Sequence, residues 1–151
     1  MKLMLDSHLF DRLLEGRISI EDIRSAGTPF VTHVQMRELK AIPEAKRDKR
    51  EKLLALVKEV TASEVPTPFI LGETPLGSGY LGAAMPMFEE MYSELTRVSG
   101  KKNDIRDCMI ADAAFAIGAV LITDDADLRA VVVKFGCRAI SSIELKIKLE
   151  P

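Results

Sequence analysis

Short apolar runs alternating with amphipathic stretches constrain this chain more than any other feature. Lys2 to Leu5 is an apolar run ended by Asp6. Phe30-Val31, Val120 to Thr123 and Arg138 to Ile140 are three more. Helical stretches lie between them. His8 to Glu15 is stopped by Gly16, and Ser19-Ile-Glu-Asp22 is a capping box that opens a second short helix. Thr32-His-Val-Gln35 is another capping box, opening a helix to about Ile42 before Pro43. Glu44 to Val60, Met85 to Val98, Asp104 to Ile117, Asp125 to Lys134 and Ser142 to Leu149 read as further helices. Apolar strands alternating with helices predict a mostly parallel sheet covered on both faces, a three-layer α/β/α sandwich. One segment breaks the alternation. Ser63 to Ala83 holds three of the seven prolines and four of the nine glycines, so it reads as a long loop or insert. A short strand at Phe69–Leu71 is expected inside it. With no repeat and no linker, residues 1–151 read as a single domain.

Composition removes several function classes. Lys plus Arg is 21 against 23 for Asp plus Glu, so a globally basic nucleic-acid binder is excluded and only a local basic patch remains open. Two cysteines, Cys108 and Cys137, and two histidines, His8 and His33, are too few for a disulfide scaffold or a Cys/His zinc site. The N-terminus carries an acid where a signal peptide needs an apolar run, and no stretch is long enough to span a bilayer. A cytoplasmic protein without a membrane partner is expected.

The acids are the informative residues. Asp6 directly follows the first strand, and Asp125 lies just past the Val120 strand. In a parallel sheet both sit at the carboxyl edge, where open α/β folds build their sites. Glu38 lies in the helix leaving the Phe30 strand, and Asp107 in the first turn of the helix that returns to the Val120 strand. Connectivity therefore sends four carboxylates from four segments to one edge. At 100° per residue Glu38 falls between Val34 and Ile42, in an apolar arc with Leu39 and Ala41. Asp107 falls among Ile110, Ala111 and Ala114, whereas Asp112 is about 140° away and faces elsewhere. Carboxylates about 4 Å apart repel by ~4 kcal/mol at an effective dielectric near 20, so such a group calls for a cation. Oxygen donors alone suit Mg²⁺ or Mn²⁺.

With those residues in place, the chain resembles a PIN-domain ribonuclease. The likeness rests on Leu3-Met-Leu-Asp6-Ser7, on Val31-Thr32 with Glu38 six residues on, and on Asp107-Cys-Met-Ile-Ala111-Asp-Ala-Ala114. It also rests on Val120-Leu-Ile-Thr123-Asp-Asp125-Ala-Asp127-Leu128, and it covers most of the chain in order and spacing. The resemblance implies an α/β/α fold and a Mg²⁺- or Mn²⁺-dependent endoribonuclease acting on single-stranded or exposed RNA. Many members are toxins held by an antitoxin, and members often form homo-oligomers. Asp6, Glu38, Asp107 and Asp125 match the family's acidic quartet, Asp127 its frequent fifth acid, and Ser7 and Thr123 its small hydroxyl positions. On this reading Asp6, Asp107 and Asp125 hold the metal. Glu38 is a further ligand or orients the attacking water, and Thr123 hydrogen-bonds Asp6. The departures are the Ser63–Ala83 segment and Leu128, where an aromatic is common.

Blander readings stand beside these. Asp6 could cap the first helix, Asp104 could be an N-cap with Asp107 at the third position, and Asp124 or Asp125 could cap the helix that follows. Glu38 could pair with an arginine. The basic run Lys46 to Lys52 reads as a solvated helix face, while Lys101, Lys102 and Arg106 are better placed to touch RNA phosphate. Gly72 to Gly79 lacks the Lys and Ser/Thr of a phosphate-binding loop. The rival function is a catalytically silent PIN-like module that binds RNA or protein. A phosphatase is disfavoured because His8 stands where its second Asp would fall.

Overall fold

A computed structural model describes residues 1–60, 62–68, 70–77, 79–80, 88–100 and 104–147. Its main sheet has five strands: β1 (Lys2–Leu5), β2 (Thr28–Val31), β3 (Ser63–Glu64), β6 (Val120–Ile122) and β7 (Arg138–Ile140). They run in the spatial order β3-β2-β1-β6-β7, and every pairing is parallel. Two further strands, β4 (Thr67–Pro68) and β5 (Gly79–Tyr80), form a separate parallel pair inside the Pro/Gly-rich segment. The helices are α1 (Ser7–Leu14), α2 (Ile20–Ala26), α3 (His33–Lys40), α4 (Arg47–Val60), α5 (Phe88–Ser99), α6 (Asp104–Ala116), α7 (Ala126–Lys134) and α8 (Ser142–Ile147).

Side-chain alternation along the central strand divides the core into two layers. Leu3, Met4 and Leu5 are all fully buried, as a strand covered on both faces requires. Leu3 and Leu5 join Val120 and Ile122 in packing under α1, α2, α4 and α8, through Leu9, Phe10, Ile23, Leu53 and Leu145. Met4 and Leu121 point the other way, into Met91, Leu95, Met109, Ala113 and Val132 of α5, α6 and α7. The three-layer α/β/α sandwich read from the sequence is the architecture observed.

Both capping boxes form. The Ser19 hydroxyl accepts from the Asp22 N–H while the Asp22 carboxylate accepts from the Ser19 N–H, and Thr32 with Gln35 closes the same reciprocal pair. Several expected boundaries move. The helix after Thr32 ends at Lys40, and Pro43 leads into a 3-10 turn, Glu44–Lys46, before α4. The strand expected at Phe69–Leu71 is absent at its described positions. Residues 70–74 instead close a turn in which the Thr74 N–H reaches the Ile70 carbonyl (2.9 Å). The Thr74 hydroxyl accepts from the Ile70 N–H and donates to the Pro68 carbonyl. Gly72 and Gly77 both take φ of 85° in these turns, a left-handed conformation that glycine adopts without strain. Phe69, Met85, Met87 and Leu149 lie outside the described residues. No helix among the described residues is long and apolar enough to cross a membrane.

Candidate active site

Strand register delivers the first two site residues. Leu5 pairs with Ile122, and the Asp6 N–H extends that ladder to the Ile122 carbonyl (3.1 Å). Asp6 and Thr123 thus leave neighbouring strands at the same edge. The Thr123 N–H bonds the Ile140 carbonyl (3.0 Å), and Arg129 Nη1 holds the Thr123 carbonyl (2.7 Å). So fixed, the Thr123 hydroxyl donates to Asp6 Oδ2 at 2.6 Å. The hydrogen bond expected from the sequence is present.

Asp6 occupies the N-cap of α1 yet makes no side-chain cap. Its carboxylate, 5% exposed, turns instead to Thr123 and to the Ser7 hydroxyl (3.4 Å to Oδ1). An Asp at that position ordinarily stabilises a helix by about 1 kcal/mol through its cap, and α1 goes without it. The capping explanation for Asp6 therefore fails on geometry.

Ser7 carries the network onward by donating to Glu38 Oε2 at 2.5 Å. Glu38 is half-buried on α3 and bonds this hydroxyl; no described arginine pairs with it. The sequence reading missed the residue that seats α3. Gln35 is fully buried, and beyond its capping role its Nε2 donates to the Leu5 carbonyl at 2.8 Å. One side chain thus ties the end of β1 to the head of α3. The capping-box pattern marks Gln35 in the sequence, but the tertiary bond to residue 5 leaves no local signal.

Thr123 also reaches the next acid. Its hydroxyl accepts from the Asp125 N–H at 3.2 Å. Asp125 is the N-cap of α7, its Oδ1 accepting from the Leu128 N–H at 3.0 Å. Capping thus accounts for one oxygen of Asp125. Asp127 is half-buried in the first turn of α7. Asp124 belongs to the scaffold. It accepts from the Ser142 N–H (2.9 Å), the Ser142 hydroxyl (3.0 Å) and Arg12 Nε (2.9 Å), clamping α1 to α8. Burial works to raise the Asp124 carboxyl, and the Ser142 and Arg12 bonds outweigh it, holding the group below the usual carboxylate range.

Hydroxyl bridges therefore connect Glu38, Ser7, Asp6, Thr123 and Asp125 in one chain. Asp107 is half-buried near the head of α6, which packs against both β1 and α3. Its neighbours Ile110, Ala111 and Ala114 are buried, as the helical angles predicted. Because α6 begins at Asp104, the capping position falls on residue 103, outside the described residues, and not on Asp104. Lys101 and Lys102 also lie outside them. Asp112 is fully buried and lies close to the Cys137 thiol.

Cations rim this edge. Arg106 Nε bonds Glu73 Oε2 (3.1 Å), and Arg37 Nη1 bonds the Glu73 carbonyl (3.1 Å). On the far side a cleft of about 450 Å³ is bordered by Arg12, Arg17, Arg129 and Lys146. It lies beside the acids and not over them. In the Lys46–Lys52 run, Arg47, Lys49 and Arg50 pair with Glu51, Asp11 and Glu44, as a solvated face would. His33 is buried, with Nε2 at 2.9 Å from the Thr67 hydroxyl.

The donor set bears on a metal. Asp6 and Glu38 bond neutral hydroxyls, so no described cation offsets their charge directly. All donors are oxygens, which fits Mg²⁺ or Mn²⁺ and not zinc. No three His, Cys, Asp or Glu side chains among the described residues converge closely enough to hold an ion by themselves. Mg²⁺ is ordinarily held by one or two carboxylates with several waters, so the fit does not require three.

Known structures support the fold. The chain is similar to VapBC-1 from nontypeable Haemophilus influenzae, with a TM-score of 0.54 and 16% identity over 93% of this chain and 98% of that one. It is similar to VapBC2 from Rickettsia felis, solved bound to a DNA fragment from its promoter, with a TM-score of 0.53 and 15% identity over 93% and 98%. At this identity the likeness shows the fold alone, a PIN-like α/β architecture with a parallel five-stranded sheet. No family model matches the sequence, and no curated protein matches it.

Proposed function

We propose that this chain is a metal-dependent endoribonuclease whose acids are Asp6, Glu38, Asp107 and Asp125. The observation that carries the reading is the Asp6 carboxylate, buried and turned from its cap to the Thr123 hydroxyl. The choice leaves the α1 cap unmade and gives the site a fixed anionic oxygen. Asp6, Asp107 and Asp125 would hold Mg²⁺ or Mn²⁺, with Asp127 at the margin. Bound there, the ion supplies a hydroxide nucleophile near neutral pH and charge stabilisation at the scissile phosphate. Thr123 fixes the rotamer of Asp6. Ser7 fixes Glu38, which orients the attacking water and accepts its proton. Attack by water in place of the 2′-hydroxyl leaves 3′-hydroxyl and 5′-phosphate ends.

The similar structures are VapBC complexes, which supports reading this chain as the toxin of a toxin–antitoxin pair. The test is cleavage of a fluorescent single-stranded RNA during Mg²⁺ and Mn²⁺ titration, with EDTA as control. Wild type should cut, and Asp6→Asn and Asp107→Asn should not. RNA binding without metal-dependent cleavage in any variant would instead support a silent binding module.

A further inference from the structure

Two arginines flank the proposed acids in the chain, and one carboxylate occupies both. Arg37 immediately precedes Glu38 on α3, and Arg106 immediately precedes Asp107 on α6. Adjacent helical residues project about 100° apart, so these guanidiniums lie to the side of the acids and not among them. They converge on Glu73. Arg106 Nε is 3.1 Å from Glu73 Oε2, Arg37 Nη1 is 3.7 Å from the same oxygen, and Arg37 Nη1 also bonds the Glu73 carbonyl. Two guanidiniums on a single oxyanion make a fork suited to phosphate. We infer that Arg37 and Arg106 form a backbone-phosphate site for single-stranded RNA, with Glu73 as its resting occupant. The inference rests on the ribonuclease reading and names how that site grips its substrate.

The latch is built to be displaced. Glu73 rides the 70–77 turn, which Ile70 and the buried Thr74 hold to the body while Leu71 and Leu76, 89% and 93% exposed, add no anchor. The bonds of the Thr74 hydroxyl stay within the same segment, to Pro68 and Ile70. The Arg37 and Arg106 side chains are 51% and 32% exposed, so an entering phosphate reaches them from solvent. Pairs this exposed exchange partners at little cost.

The test is fluorescence anisotropy with a 5′-labelled single-stranded RNA, in an Asp6→Asn background with EDTA, so that binding is read without cleavage. Glu73→Gln should tighten binding about two- to fivefold, the range set by an exposed pair. Glu73→Asp keeps the charge but shortens the reach, and it should also tighten binding. Glu21→Gln removes the same charge from α2 and should not. Arg37→Gln or Arg106→Gln should weaken binding, reduce the salt slope by about 0.7, and abolish the gain from Glu73→Gln. Melting curves confirm that each variant folds. Equal effects of Glu73→Gln and Glu21→Gln overturn the inference, as does a gain that survives loss of both arginines or an RNA that no variant binds. If the affinity pattern holds while wild type with Mg²⁺ cuts nothing, the ribonuclease reading fails and the phosphate fork stands.

Discussion

Thr123→Val isolates the hydroxyl that joins Asp6 to Asp125. Valine keeps the shape at a position that is 1% exposed. It removes the 2.6 Å bond to Asp6 Oδ2 and the acceptor of the Asp125 N–H. A hydrogen bond to a charged group contributes about 1.5–3 kcal/mol, and its loss leaves a buried oxyanion without that donor. The longer Asp125 contact adds about 0.5–1 kcal/mol, and burying a methyl in place of the hydroxyl returns part of the total. The net expectation is destabilisation by about 2–3 kcal/mol, read from chemical denaturation without divalent metal. For a chain of this length that lowers Tm by about 4–12 °C. A double-mutant cycle with Asp6→Ala separates the two bonds. With Asp6 gone, the cost of Thr123→Val should fall to about 1 kcal/mol, a coupling of about 1–2 kcal/mol. A cost within about 0.5 kcal/mol of zero, or coupling indistinguishable from zero, would refute the assignment of Thr123 as the support of Asp6.

Three further outcomes follow from the same structure. Wild type should melt higher as Mg²⁺ is added, by about 2.7 kcal/mol at a hundredfold excess over Kd, and Asp6→Asn should lose most of that gain; equal gains would place the ion elsewhere. Burial chiefly lowers the His33 pKa from 6.5, helped by the Arg37 charge and opposed by Glu64 and Glu73. The folded state therefore favours neutral His33, so its contribution is complete above 6.5 and is lost as pH falls below it; His33→Gln should flatten the denaturation free energy against pH in that window. Burial, with the Asp112 charge, pushes the Cys137 thiol up to about 11, and Cys108 is also buried, so Ellman's reagent at neutral pH should find no reactive thiol until denaturant exposes both.

The parts of the site legible in the sequence are those fixed by strand order and helical period. Once β1 and β6 are parallel neighbours, Asp6 and Thr123 must share an edge, whatever the loops do. Once α3 is a helix, Glu38 must fall on the face of Val34, one turn before it. Partnerships across long loops were not legible. Asp124 and Asp125 are adjacent and chemically alike, and only the packing of α8 against α1 assigns one to the scaffold and leaves the other beside Thr123. Glu73 meets arginines more than thirty residues away on two different helices, through a turn the sequence presented as strand and loop. Asp112 shows the limit of angular reasoning: the period separates it from Asp107, but only packing determined that it is wholly buried.

Capping is consistent at three described helix N-termini, which makes a departure from it informative. Ser19, Thr32 and Asp125 each stand at a helix N-terminus and each caps with its side chain. Asp6 stands at the same position with the same capacity and does not. Its backbone is extended, as a cap requires, so the difference lies in the side chain's choice between the α1 amides and Thr123. Thr123 wins because β1 and β6 hold it rigidly at the required distance, and because Arg129 and Ile140 secure its backbone. The α1 amides are left uncapped while the carboxylate is held, buried, at one fixed place beside Thr123. The conflict between local rule and observed rotamer is the kind that marks a functional position. It falls at the carboxyl end of the central strand, where Ser7 links Asp6 to Glu38 and Thr123 links it to the Asp125 backbone.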